Sequence, residues 1–298
     1  MSFEFIMLKA LELGFLVRED ELMSAHTTFR IGGPAKVFIE CNDVDKIGQL
    51  ISVIRAENIP FWVIGKGSNL LVSDEGLNGV VIYICDDKIS VSGNNITVRA
   101  GAKLSAVCNI AKDNCLSGLE FAFGIPGSVG GAVYMNAGAY GGEIKQCIKS
   151  CTSVTLDGEI KHYGLEEMQL GYRTSVFKQN NEIILEATFS LTTDDKNIIQ
   201  SKMDDFLSRR KDKQPLEFPS AGSTFKRPSG YFAGALIEQS NLKGCSVGGA
   251  MVSEKHAGFV INYDNATCND VLMLIEHIKK SVLNNFGVEL ETEVIYIG

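Results

Sequence analysis

Gly124-Ile125-Pro126-Gly127-Ser128-Val129-Gly130-Gly131-Ala132 is followed closely by Asn136-Ala137-Gly138-Ala139-Tyr140-Gly141. Between Gly118 and Gly142, eight of 25 residues are glycine and only Glu120 is charged. Small uncharged residues at this density leave side-chain volume empty. Either two backbones pack closely there, or something large and flat fills the space. Pro126 at a helix start, with Gly127, Ser128 and Gly130 presenting backbone amides, suits a diphosphate. A second such loop lies upstream, at Gly65-Lys66-Gly67-Ser68-Asn69-Leu70-Leu71, directly after the apolar run Phe61 to Ile64. Glycine permits positive φ and close backbone approach, so successive N–H groups can converge on phosphate oxygens. The loop lacks P-loop spacing, and the dinucleotide fingerprint fails at Leu70. A bare glycine turn explains either loop alone. Two of them in one domain point to a dinucleotide.

Working outward, the first 115 residues alternate strand and helix patterns. Residues 36–41, 61–64, 79–84 and 96–100 read as strands. An amphipathic helix is expected at the N-terminus. Two more are expected over 44–57, with apolar residues at 44, 47, 50, 51 and 54, and over 104–114. Residues 148–163 read as a hairpin turning at Asp157-Gly158, and 183–191 as a strand. A polar stretch, 192–197, leads into a helix ending near Arg209-Arg210-Lys211, and the main boundary is expected near residue 194. Beyond it, helices are expected at 232–239 and 269–286, with strands at 258–261 and 289–297. The fold class is α+β, in at least two domains.

The 298 residues carry 28 Lys and Arg against 36 Asp and Glu, a net charge of −8. That balance argues against a nucleic-acid binder, though not against a local basic pocket. The eight cysteines (Cys41, Cys85, Cys108, Cys115, Cys147, Cys151, Cys245 and Cys268) form no CxxC pair and no Cys/His cluster with zinc spacing. Cys147 and Cys151 could face each other on the hairpin; buried reduced thiols are the preferred reading. No metal site is expected. The N-terminal MSFEFIMLKALELGF holds Glu4, Lys9 and Glu12, unlike a signal peptide. No apolar run is long enough to span a bilayer. A cytoplasmic protein without a membrane partner is expected.

Six stretches together make a resemblance specific: TTFRIGGPA (27–35), IGKGSNLLVSD (64–74), GIPGSVGGAVYMNAGAYG (124–141), GYRTSVFK (171–178), SAGSTFKRP (220–228) and LETEV (290–294). In this order, across nearly the whole chain, they resemble the UDP-N-acetylenolpyruvoylglucosamine reductase family. The resemblance implies a two-subdomain FAD-binding module of the vanillyl-alcohol-oxidase type over residues 1–194, with subdomains of about 1–85 and 86–194. A smaller α+β substrate-binding domain over 195–298 would follow. It implies noncovalent FAD held by Gly65, Lys66, Gly67, Ser68, Asn69 and Leu70, and by Gly124, Ile125, Pro126, Gly127, Ser128, Gly130, Gly131, Asn136, Ala137 and Gly138. NADPH would be the co-substrate, a UDP-sugar enolpyruvate the substrate, and peptidoglycan precursor synthesis the setting. A monomer is expected.

Reducing an enolpyruvyl ether by hydride puts negative charge on the carbon beside a carboxylate. The catalyst must stabilise that charge and then protonate carbon. Arg173 matches the family's catalytic arginine, and its planar fork suits a carboxylate; an ordinary salt-bridged arginine is the alternative. Ser223 matches the family's proton donor, with no G-x-S-x-G elbow around it; a turn serine is the alternative. Glu293 matches the catalytic glutamate, and Glu291, two residues away on an expected strand, shares its face. Lys226, Arg227 and Tyr140 are candidate substrate contacts. His256 reads as structural or substrate-contacting. The chain resembles the short form of the family, since only Gln179 to Glu182 separate the GYRTSVFK motif from the next strand. Another FAD oxidase of this fold is the competing reading, weakened because no histidine lies in the first glycine loop to attach flavin. A non-catalytic nucleotide-sugar binder is the reading from another class.

Overall fold

The computed structural model describes residues 3–298. Its contacts divide the chain into two compact units. Among the described residues, the first comprises 3–19, Val37–Lys66 and Gly79–Arg209; the second comprises Asp20–Lys36, Gly67–Asn78 and Arg210–Gly298. The partition falls at Arg209–Arg210, inside the helix Lys196–Lys213, where a sequence boundary near 194 was expected. Two early segments also belong with the late one. That arrangement depends on pairings distant in sequence, which local patterning does not carry.

In the first unit a five-stranded antiparallel sheet runs in the order Ile160–Gly164, Ile148–Val154, Ile183–Ser190, Asn95–Arg99, Ile89–Ser92. The expected hairpin is present. Gly158 turns it at φ +85°, and its N–H donates to Thr155 O (3.0 Å). Bulges in the Ile148–Val154 strand shift its register against Ile183–Ser190. They break the period-2 alternation, so Ile148, Cys151 and Val154 are buried three apart. Helices Ile47–Ala56 and Leu104–Asp113 bury Ile47, Leu50, Ile51, Ile54 and Leu104, Val107, Cys108, Ala111, the i, i+3, i+4, i+7 stripe of an amphipathic helix. The parallel pair Phe61–Ile64 and Leu77–Ile84 belongs to a four-stranded sheet with Pro34–Cys41 and Leu16–Leu22. The sequence LVREDEL of that edge strand exposes most of its side chains, and no apolar alternation announces it.

The second unit packs the helix Cys268–Phe286 onto a three-stranded antiparallel sheet, Ser246–Val247, Ala250–Val252 and Val260–Asn262. Thr267 and Asp270 form a capping box at the start of the helix, and Gly287 ends it in the left-handed conformation. The amides of Cys268 and Asn269 donate to the Asp74 carboxylate at 2.7 and 3.0 Å. Leu70–Val72 pairs in parallel with Ile295–Ile297. The strand expected over 289–297 is therefore confined to Ile295–Ile297, preceded by one isolated bridge, Phe225↔Thr292. All eight cysteines are free thiols.

Candidate active site

The head of the first glycine loop, Gly65-Lys66, meets the second loop within the first unit. The strand Phe61–Ile64 delivers Gly65 against Ser128, so closely that a Cβ at Gly65 would overlap the Ser128 hydroxyl oxygen. Lys66 Nζ reaches the Tyr83 hydroxyl and lies 4.9 Å from that ring's centroid. In the second loop the helix begins at Val129, with Ser128 as its N-cap, and not at Pro126. The N–H groups of Val129 and Gly130 are already donated to Ala102 O and Ala100 O, both at 2.9 Å. Gly130 thus packs on the 100–102 backbone, and its amide is not presented outward as the sequence suggested. A Cβ there would lie 2.9 Å from Ala100 Cβ.

Asn136, 2% exposed and left-handed at φ +43°, ends this segment. Its Nδ2 donates to Gly171 O and to Glu143 Oε2, each at 3.0 Å, and its Oδ1 accepts from Lys145 N (2.9 Å). The side chain is spent within the protein, on the turn that carries Arg173. That turn is closed by two backbone bonds, Gly171 N to Thr174 O (3.1 Å) and Thr174 N to Gly171 O (3.3 Å). Ser175, fully buried, donates Oγ to Tyr134 O at 2.8 Å. Arg173 sits at φ +57°, left-handed backbone that costs a non-glycine residue about 1–3 kcal/mol and recurs at functional sites. Its guanidinium stacks at 5.5 Å on the Tyr172 ring.

Ser223 and Glu293 come together in the second unit through the residue between them, Thr224, which is 1% exposed. Thr224 N donates to Gly258 O (2.9 Å), its Oγ1 accepts from Val260 N (2.9 Å), and its carbonyl accepts from Glu293 N (2.8 Å). Asn69, from the first glycine loop, donates Nδ2 to Glu293 O (3.1 Å), and Asn69 O accepts from Ile295 N (2.9 Å). Ser223 is exposed beside Gly222, which sits at φ +78°. Gly67 belongs here too: at φ +59°, its added Cβ would overlap His26 O. Thr28 N donates to Gly67 O (3.3 Å), and Thr28 Oγ1 to Ser220 O (2.7 Å). The TTFRIGGPA segment therefore braces both the glycine loop and the serine loop.

Glu291 and Glu293 are distinguished by their partners. Glu291 is 72% exposed and paired with Lys226 Nζ, whereas Glu293 is held by its backbone between Thr224 and Asn69. Lys226 is thereby committed to Glu291. Arg227 lies 3.9 Å over the Phe232 ring. Tyr140 stacks on Phe206 at 5.0 Å, nearly parallel. His256 accepts from Gly258 N (3.1 Å) through Nδ1, and burial lowers its pKa, which suits a neutral structural imidazole. Among the described residues no cluster could hold a metal ion, and no helix is long and apolar enough to cross a membrane.

Comparison with known proteins gives these loops a context. The chain is 50% identical over 283 residues to a UDP-N-acetylenolpyruvoylglucosamine reductase of Clostridium novyi, covering 95% of this chain and 92% of that one. It belongs to the UDP-N-acetylenolpyruvoylglucosamine reductase family. The reductase of Clostridium beijerinckii is likewise 50% identical, over 279 residues, 93% of this chain and 92% of its own. A family model described as "FAD binding domain" matches residues 35–164, and one described as "UDP-N-acetylenolpyruvoylglucosamine reductase, C-terminal domain" matches 214–297. The crystal structure of the reductase from Thermus caldophilus has a TM-score of 0.82 at 34% identity, covering 95% of this chain and all of that one. The two-part α+β architecture expected from sequence is that of this reductase family. Sequence reading missed the roles of Asn136, Thr224 and Ser175 as ties. Their only local signal was polar residues inside otherwise small or apolar motifs.

Proposed function

We propose that this chain reduces UDP-N-acetylglucosamine enolpyruvate to UDP-N-acetylmuramate in peptidoglycan precursor synthesis, with FAD as resident cofactor and NADPH as co-substrate. Membership of the reductase family over 95% of the chain carries this reading. FAD fits the loops on their chemistry. Gly65 and Ser128 approach with no side chain between them, Lys66 supplies a cation, and no carboxylate lies from Phe121 to Gly142 to repel a diphosphate. Residues 65–70 and 124–128, with Gly130, Gly131, Ala137 and Gly138, would hold it; the Asn136 side chain is already taken up by Gly171, Glu143 and Lys145. Bound there, FAD would supply the hydride-transfer chemistry between NADPH and the enol.

The chain's own residues supply the rest. Arg173 offers a permanently charged fork to the substrate carboxylate, stabilising charge that grows as the neighbouring carbon gains electrons. Ser223 hands its hydroxyl proton to that carbon. Glu293, fixed beside the serine loop, orients the hydroxyl and takes part in its reprotonation. Lys226 and Arg227 face the uridine diphosphate in this reading, Lys226 by exchanging Glu291 for phosphate, and Tyr140 lies against the substrate. The protein works as a cytoplasmic monomer.

Purified protein should be yellow, and acid should release the chromophore into the supernatant. NADPH oxidation should depend on the enolpyruvyl substrate. Colourless protein that FAD cannot reconstitute, or NADPH oxidation indifferent to the enol, would sink the reading. Sedimentation at twice the chain mass would remove the monomer.

A further inference from the structure

The Gly171–Thr174 turn holds Arg173 in a backbone conformation that arginine rarely adopts. Closure of the turn by its own two backbone bonds does not fix where the turn sits. Two buried side chains do that: Asn136 Nδ2 grips the Gly171 carbonyl at one end, and Ser175 Oγ grips the Tyr134 carbonyl at the other. Both ties run to the segment 134–136, so the turn is fastened at both ends to one short piece of chain. Asn136 is itself held by Lys145 N and by the Glu143 carboxylate, which in turn belongs to a capping box with Gln146. The side-chain amide therefore cannot rotate away without losing three hydrogen bonds, and every one of them goes to protein.

We propose that Asn136 and Ser175 are positioning residues for the reduction, anchoring the Gly171–Thr174 turn so that the Arg173 fork meets the developing enolate. Asn136 acts through Arg173 and contacts neither cofactor nor substrate. This rests on the reading of Arg173 as the carboxylate-stabilising group, and it reassigns Asn136 from the cofactor cradle. Misplacing a charge-stabilising group by about 1 Å can cost about 10²-fold in rate. That loss should fall on the step in which charge develops and not on ground-state binding.

The test is Asn136→Ala, Arg173→Ala and the double variant, each in the holoenzyme, with Ser175→Ala as a milder second probe. Stopped-flow absorbance follows bleaching by NADPH and recovery on adding the enolpyruvyl substrate; fluorescence titration gives FAD affinity. Asn136→Ala should slow recovery about 10²-fold, as a fall in kcat with KM changed little. Bleaching and FAD affinity should stay near wild type. In the Arg173→Ala background it should cost almost nothing more, since the residue it serves is gone. Ser175→Ala should slow the same phase by a smaller factor, which keeps the idea testable if Asn136→Ala does not fold. A full additional loss in the double variant would overturn the proposal, as would a drop in FAD affinity that slows both phases. Wild-type recovery in Ser175→Ala would remove Ser175 from it. An Arg173→Ala enzyme with normal recovery would instead bring down the parent reading of Arg173, an outcome separate from non-coupling.

Discussion

Arg173, Ser223 and Glu182 carry sharp expectations because each is defined by what its neighbours do to it. Arg173→Lys keeps the charge but loses the planar fork. Transfer to the enolpyruvyl substrate should slow by orders of magnitude while substrate affinity, read by equilibrium titration, falls much less; the reverse pattern would make Arg173 a binding residue. Ser223→Ala should leave bleaching by NADPH close to wild type and slow the substrate-dependent phase about 10²–10⁴-fold, the usual cost of a positioned general acid. Equal slowing of both phases would count against a proton-donor role. Glu182 is 4% exposed and accepts from Ser153 Oγ (2.6 Å), the Tyr163 hydroxyl (2.8 Å), Asn180 Nδ2 (3.3 Å) and Lys161 Nζ (3.4 Å). Burial works to raise its pKa, yet these donors together bring it below the ordinary carboxylate value. The Tyr163 phenol is pushed up to about 12 by burial and by its bond to Glu182. A carboxyl depressed in the folded state stabilises fully above its unfolded pKa of about 4.3, and the contribution is lost as pH falls through the lower folded value. Glu182→Gln should cost about 1–3 kcal/mol at neutral pH and flatten the acid limb of a stability profile measured by urea midpoints. An unchanged acid limb would mean that other groups set it.

At the scale of elements, glycine does two different jobs. Gly141, at φ +85°, has open space around its missing Cβ, whereas Gly67, at φ +59°, faces the His26 carbonyl and has Thr27 Cα at 2.9 Å. Alanine at 141 should cost only the left-handed strain, about 1–2 kcal/mol. Alanine at 67 must in addition push backbone aside, so it should cost more, and it should loosen FAD because the 67–70 segment moves. Thermal melts and FAD titration of the two variants provide the comparison, and equal losses would contradict the overlap. Elements also explain what could be read in advance. Helices Ile47–Ala56 and Leu104–Asp113 have unbroken apolar stripes, so their periodicity was legible, as was the hairpin with Asp157-Gly158 at its turn. The Val129–Tyr134 helix is six residues of mostly small side chains with no stripe to detect. Residues 289–294 look like a strand because Leu290 and Val294 are apolar, but tertiary contacts bury those two while the backbone makes a single bridge. Motif residues such as Arg173 and Ser223 stood out by resemblance. The ties around them did not, because a hydrogen bond from Asn136 to Gly171 leaves no trace in either local pattern.

On the scale of the whole molecule, the second unit gathers Asp20–Lys36, Gly67–Asn78 and Arg210–Gly298. Its parallel pair joins Leu70 to Ile295, about 225 residues later. On a ribosome adding 5–20 residues per second, Leu70–Val72 emerges about 10–45 s before its partner strand exists. For that interval Leu71 and Val72, both buried in the finished protein, have no strand to pair with. The Asp74 carboxylate likewise waits for the helix amides of Cys268 and Asn269. The first unit encloses a five-stranded sheet whose last strand ends at Ser190, so its core can close while the tail is still being made. Nascent chains stalled a few dozen residues past Arg209 should therefore protect the first unit from protease while cleavage persists within 67–78. The same delay makes this segment the natural foothold for a chaperone during biosynthesis, and a chain released early would carry that foothold for the rest of its life.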